Sequence, residues 1–348
     1  MVNTVATVSA SAPPERPVSN ARRIVVAALK IVLALAIAAF MTYAVVTQWA
    51  EVRQTWLGLA WQSVLLSFVA LVIGMLANVM AWKASLRDLE HDVSFIAATE
   101  INFIGALGKY LPGSVWAYVM QMELGRRAGL PRARAFLASI VTVGLGTTAA
   151  LGLGTLAVPA LISSTSDDAT YAEPVRFALY AMIALLPVAI LCAVPPVLTR
   201  LVQLLLRLLR RPPLTHSLTW SGVLRVVGWA SIGWICFGVH LWLLANAQAT
   251  PGVNGLIRSV GAFALALTIS LFAIFAPSGL GVREAVLVAA LVPALPAPNA
   301  AGTALGIALA SRILFILADA LTAAGAAISI AITRRTQQRP DPAAETSS

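Results

Sequence analysis

Two stretches of this chain place residues capable of ionic chemistry beside residues that break helices. The second half contains Pro277-Ser278-Gly279-Leu280-Gly281-Val282-Arg283-Glu284. Pro277 lacks an N–H, Gly279 and Gly281 permit tight turns, and a new helix is expected to start near Val282. Helix N-termini expose N–H groups and carry partial positive charge, so with Arg283 beside them they can hold a phosphate or carboxylate. Glu284 is placed to partner Arg283 or a cationic headgroup. The first half contains Gly108-Lys109-Tyr110-Leu111-Pro112-Gly113-Ser114, followed by Trp116 and Tyr118. A lysine with hydroxyls near a helix start again suits a phosphate. Arg312 and Asp319 are two helical turns apart and so share one face of a third segment. Each feature also has a plainer reading: a kink with an internal ion pair, a lysine snorkelling to the interface, or structural pairing of Arg312 and Asp319 with Glu284 or Arg283.

Other reactive residues are less pointed. His240, on an apolar helix, reads as a satisfied interior histidine, and Cys192 and Cys236 read as small apolar side chains. Asp167-Asp168 has only Glu173 nearby and reads as a solvated loop, so no metal is expected. No cofactor is implied, and the sequence carries no P-loop.

The elements that must position these residues are membrane helices. Hydrophobic residues make up 59% of the 348 positions and charged residues 11%, too few to cover a soluble surface of this size. The formal charge of +10 is accounted for by positive residues on one membrane side, which excludes nucleic acid as the expected partner. An all-α polytopic bundle follows. Spans are expected at roughly 24–46, 61–82, 136–161, 176–198, 226–248 and 304–332, since about 20 apolar residues cross the hydrocarbon. The broken stretches, about 99–120 and 259–293, fit re-entrant hairpins; the second could instead be two full crossings, making eight spans.

The expected organisation is a tail at 1–23, a single transmembrane domain at 24–333 and a tail at 334–348, with both tails disordered and cytoplasmic. Clusters such as Arg126-Arg127, Arg210-Arg211 and Arg334-Arg335 fall on one side, against Arg53, Arg176 and Arg258 on the other, which puts both termini inside. Residues 24–161 and 176–333 repeat the order of two spans, a hairpin and a span. Three spans per unit is odd, so the second unit is expected to be inverted, with both breaks meeting near the bilayer midplane. Arg200, Arg207, Arg210 and Arg211 share a face opposite leucines of 201–209, so this segment is expected to lie flat on the cytoplasmic leaflet.

At Pro277 to Glu284 the chain resembles the P-G-G-L-G-x-R-E type signature of the lysylphosphatidylglycerol synthase transmembrane-region family, also called flippase-like membrane proteins. Lys109 to Trp116, followed by Glu123-Leu124-Gly125-Arg126-Arg127-Ala128-Gly129, looks like the matching first-half element. Ser278 stands where the signature has glycine, and the first element lacks the Arg and Glu that many members carry after Pro-Gly. The resemblance implies a stand-alone form without the aminoacyltransferase domain that some members carry.

Together these readings give a non-enzymatic lipid translocase of the bacterial cytoplasmic membrane. It would move an anionic phospholipid or a polyprenyl-linked glycolipid. The expected substrate-binding residues are Lys109, Tyr110, Pro112, Gly113, Ser114, Trp116, Pro277, Gly279, Gly281, Arg283, Glu284, Arg312 and Asp319. Expected partners are membrane lipids, with enzymes of lipid-linked sugar or envelope synthesis as further candidates. The rivals are a polyprenyl-phosphate-dependent glycosyltransferase, for which the loop 47–60 offers only Glu51 as an acid, and a non-catalytic scaffold for envelope synthesis.

Overall fold

The computed structural model describes residues 42–111, 115–159, 169–245, 252–272, 279–295 and 299–337. Pro112, Gly113, Ser114, Pro277 and Ser278 lie outside the described residues, as do most of the expected first span, Asp167-Asp168 and the chain ends. Among the described residues the structure is helical, with no strand.

The chain orders as α1 (Trp49–Leu57), α2 (Trp61–Asp88), α3 (Phe95–Ala106), a 3-10 turn (Leu107–Tyr110), α4 (Trp116–Arg127) and α5 (Arg132–Leu156). There follow α6 (Ala169–Ala193), α7 (Pro195–Leu208), α8 (Trp220–Ala245), α9 (Val253–Phe272), α10 (Val282–Leu291), a 3-10 turn (Val292–Ala294) and α11 (Ala300–Gln337). Six helices are long and apolar enough to cross a membrane: α2, α5, α6, α8, α9 and α11.

The two broken stretches differ. α3 and α4 have 12 residues each, about 18 Å, so neither arm crosses the hydrocarbon alone. In the second stretch α9 has 20 residues and is a full-length span, whereas α10 has 10, about 15 Å. Among the described residues α10 by itself is shorter than a full crossing, while α9 is longer than a re-entrant arm needs. The extra length of α9 comes from Val253 to Arg258, residues polar enough to have read as loop.

In lipid, apolar faces gain nothing by leaving their surroundings, so helices associate through close packing of small residues and polar contacts. Leu65, Leu66, Ile313, Ile316 and Leu321 accordingly face outward. Inside, α2 lies along α8, and a Cβ at Gly74 would meet the Phe237 ring at 2.6 Å. On the other side of α8, a Cβ at Gly238 would lie 2.6 Å from the Val260 Cα of α9. Gly302 and Gly306, spaced as in a GxxxG motif, let α11 approach Glu51 and Thr55 of α1, and Trp56 Nε1–H donates to the Gly306 carbonyl at 2.9 Å.

At the arginine-rich end the helices stop in a shared way. α2, α4 and α7 end with a left-handed residue, Glu90 (φ 68°), Gly129 (φ 83°) and Arg210 (φ 52°), and the next N–H reaches back to Leu86, Gly125 and Leu206. Glu90 occupies a position that favours glycine, and tertiary contacts hold it there. Its carboxylate accepts from the Thr215 N–H and hydroxyl and the His216 N–H, and lies 3.5 Å from Arg134 Nη2. The Thr215 hydroxyl, helped by these other groups and opposed by burial, lowers the Glu90 pKa to about 2. Asp88 likewise accepts from the N–H and hydroxyl of Thr219, the cap of α8, so the loops of the two halves are clasped together.

α7 has three faces rather than two. Thr199, Val202 and Leu206 pack on the bundle, Leu201, Leu204 and Leu208 face outward, and Arg200 and Arg207 form the third side. Its leucine face is thus divided between protein and surroundings.

Candidate functional site

Five ionic side chains, far apart in sequence, converge between the first broken stretch, α10 and α11. Gly281, in the left-handed region at φ 81°, precedes α10, and its N–H donates to Glu284 Oε2 at 2.7 Å. The carboxylate therefore reaches back over the helix start, where partial positive charge favours it. Its other oxygen accepts from Arg312 Nη1 of α11 at 3.2 Å, and the Glu284 side chain is 3% exposed. Two turns along α11, Asp319 is 2% exposed. It receives Lys109 Nζ at 2.6 Å and the Tyr110 hydroxyl at 2.6 Å, both from the 3-10 turn that ends α3. The shared face of Arg312 and Asp319 thus carries two separate ion pairs, one to each broken stretch.

Arg283 is held differently. Its guanidinium carbon lies 4.2 Å from the Phe315 ring centroid and 4.9 Å from that of Phe263, the two rings stacked 5.6 Å apart. Nη2 donates to the Ser311 hydroxyl at 2.8 Å, while Nε is buried without a hydrogen-bond partner among the described residues. Guanidinium can only donate, so the Ser311 hydroxyl accepts from Arg283. The Ser311 hydroxyl also lies 2.9 Å from His240 Nε2, His240 Nδ1 lies 2.7 Å from the Ser67 hydroxyl and 3.2 Å from the Ser67 carbonyl, and Ser67 donates to the His240 carbonyl (3.0 Å). His240 is a satisfied interior histidine that also braces the arginine.

These groups line a cavity of about 440 Å³, within the range of small-molecule sites. Its charged lining is Lys109, Arg283, Arg312 and Asp319; counting Glu284 behind Arg312, three cations meet two carboxylates. Met75, Phe103, Phe237, Leu267 and Phe315 supply apolar wall. A second cavity of about 330 Å³ lies between residues 42–46 and the start of α10, lined by Glu284 and Arg312. The Arg312–Glu284 pair therefore stands between the two spaces.

A family described as Lysylphosphatidylglycerol synthase TM region matches residues 27–318. The chain belongs to that family. No curated protein matches it. For a member of the lysylphosphatidylglycerol synthase transmembrane-region family, both broken stretches thus border one cavity that joins charged side chains to an apolar wall within a multi-pass membrane bundle.

Of the residues singled out in the sequence, Lys109, Tyr110, Gly279, Arg283, Arg312 and Asp319 line the main cavity. Glu284 lies behind it, and Gly281 shapes the backbone that turns Glu284 inward. Trp116 is 45% exposed and is not part of the lining. Asn78, Asn102, Tyr118, Gln121 and Ser270 also line the cavity. The amides carried no sequence signal beyond being polar residues in apolar helices, which is itself a functional cue at membrane depth. Glu51, the one acid of the first loop, packs against Gly302 at the α1–α11 contact.

Proposed function

We propose that this protein is a lipid translocase of the bacterial cytoplasmic membrane, with both termini inside, that carries an anionic headgroup through the polar cavity while the hydrocarbon chains stay in the bilayer. In this reading it breaks no covalent bond. The observation that carries it is the surplus positive charge of a cavity walled partly by apolar groups: Lys109 and Arg312 have carboxylate partners, and Arg283 rests on aromatic rings with Nε unpartnered among the described residues. A phosphate entering beside Arg283 would supply the missing countercharge without breaking an existing pair.

Movement follows from the two cavities. The Arg312–Glu284 pair separates them, so a headgroup passing from one to the other exchanges places with Glu284 on Arg312. In sequence each half carries two apolar runs, a broken stretch and a further run, which supports an inverted repeat that opens alternately to either side, with α9 and α10 as unequal arms of the second broken stretch. Anionic phospholipids and polyprenyl-linked glycolipids both meet these requirements, and enzymes of envelope synthesis would be the natural suppliers of the latter.

The test is reconstitution of the full chain in phosphatidylcholine vesicles with fluorescent phosphatidylglycerol. The fraction accessible to external dithionite reports leaflet exchange. Exchange is expected with the native protein and a loss of tenfold or more with Arg283→Leu, in keeping with a charge-assisted phosphate contact of about 1.5–3 kcal/mol. Exchange equal to that of protein-free vesicles, with both this lipid and a polyprenyl-phosphate probe, would remove the proposal.

A further inference from the structure

The main cavity has an uncharged side that the anion reading does not use. Asn78 comes from α2, Asn102 from α3, and Tyr118 and Gln121 from α4, and all four line the space that Lys109, Arg283 and Arg312 enter. Their amide orientations are fixed by a chain of hydrogen bonds running outward from the core. Trp82 Nε1–H donates to Ser139, Ser139 donates to Gln121 Oε1 at 2.7 Å, Gln121 Nε2 donates to Asn102 Oδ1 at 3.3 Å, and Asn102 Nδ2 donates to the Ala98 carbonyl at 2.9 Å. Each amide nitrogen has two hydrogens, so Gln121 and Asn102 each keep one N–H unused by this chain. Asn78 Nδ2 donates to the Gly74 carbonyl, which leaves its Oδ1 as an acceptor. The Tyr118 ring packs edge-on against Phe136 at 6.3 Å, and its hydroxyl carries no hydrogen bond among the described residues.

Asn78 Nδ2, with its single bond, also keeps one N–H, so the unused set is three donors, one carbonyl acceptor and one group that does both, none of them charged. Hydroxyls, which donate and accept, complement such a set. An ammonium group does not: it offers donors only, and the carboxylates here, Asp319 and Glu284, are already engaged by Lys109 and Arg312. We infer that the cavity takes an anionic phosphodiester whose esterified group bears hydroxyls, as in a glycerol, inositol or sugar phosphate, and that Asn78, Asn102, Tyr118 and Gln121 read those hydroxyls. The inference rests on the cavity being the headgroup site and adds that the headgroup is a polyol and not an amine.

Equilibrium titration of the full chain in phosphatidylcholine nanodiscs separates the two ideas. The probes are dioctanoyl phosphatidylglycerol, dioctanoyl phosphatidylmethanol, which has the same phosphodiester and charge without hydroxyls, and the lysyl ester of the first. Phosphatidylglycerol is expected to bind more tightly than phosphatidylmethanol by about two- to tenfold for each hydroxyl read, and the lysyl ester is expected to bind more weakly than phosphatidylglycerol. Tyr118→Phe, which keeps the ring on Phe136, should reduce the preference for phosphatidylglycerol while leaving the phosphatidylmethanol affinity in place. Equal binding of phosphatidylglycerol and phosphatidylmethanol overturns the hydroxyl reading and leaves the anion site standing. Tightest binding of the lysyl ester overturns the exclusion of amines. Binding of none of the three overturns the headgroup site itself. Soluble glycerophosphoglycerol is expected to compete poorly; competition as strong as the lipid's would keep the hydroxyl recognition and overturn the lipid source.

Discussion

Removing either partner of the Lys109–Asp319 pair should cost more than removing both. The Nζ–Oδ2 distance is 2.6 Å, and the side chains are 32% and 2% exposed. At an effective dielectric near 20 the direct attraction at this distance is about 6 kcal/mol, and desolvation of the buried carboxylate offsets a large part of it. What remains after truncating one partner of a buried pair is typically about 3–5 kcal/mol, mostly the penalty of the charge left behind. The two singles should differ. Asp319→Leu leaves a lysine that is one-third exposed and can turn into the cavity, placing it at or below the lower end of that range. Lys109→Met leaves a carboxylate with 2% exposure and the Tyr110 hydroxyl as its remaining close donor among the described contacts, placing it toward the upper end. The double substitution Lys109→Met/Asp319→Leu removes both charges and should recover at least about 2 kcal/mol relative to the sum of the singles. Thermal unfolding of detergent-purified protein, followed by tryptophan fluorescence, gives the four corners of the cycle. Additive losses, or a harmless Lys109→Met, would refute the argument, because the carboxylate would then not depend on its lysine.

Ser311→Ala breaks the chain from Arg283 to His240, so phosphatidylglycerol affinity should fall by about two- to tenfold with little change in helix content by circular dichroism; unchanged affinity would show that the phenylalanine rings alone position the arginine. Gly238→Ala forces a Cβ against the Val260 backbone and should destabilise the bundle by about 1–3 kcal/mol, read as a lower unfolding temperature, whereas Gly228→Ala, which meets open space, should be neutral. The Glu90 clasp gives a pH signature. The Glu90 pKa in the folded protein is near 2 against an ordinary value of 4.5, so its stabilisation is complete above about 4.5 and fades as pH falls through that value toward 2. Glu90→Gln should flatten the stability profile over that window, measured by unfolding midpoints from pH 6 to pH 3 on a scale of about one midpoint per half unit.

Sequence alone determined the class of this protein, because a bilayer imposes a length and an apolarity on each span that no arrangement of neighbours can relax. The helices at 61–88, 132–156, 220–245 and 300–337 lie where apolar runs required them, and the short arms α3 and α4 lie where Pro-Gly interrupts one. The ionic residues of the site were legible for the same reason: Lys109, Arg283, Glu284, Arg312 and Asp319 are costly in hydrocarbon wherever they point, so their presence already implied partners. Which partner each would find was not legible. Sequence left Glu284 open to Arg283, to a cationic headgroup or to Arg312; the turn at Gly281 aims it at Arg312, while Arg283 points to Phe263 and Phe315 on two other helices. The amides of the uncharged face were also beyond sequence reasoning, since Asn78, Asn102 and Gln121 are spread over three helices. The orientation of Gln121 and Asn102 depends on Ser139 and Trp82, residues brought to them by packing and not by spacing, while Asn78 is held by the Gly74 carbonyl of its own helix. Composition and periodicity act along one helix at a time and therefore decide what must be buried. Which buried groups meet depends on how helices cross, and here glycines such as Gly74, Gly238, Gly302 and Gly306 set those close approaches.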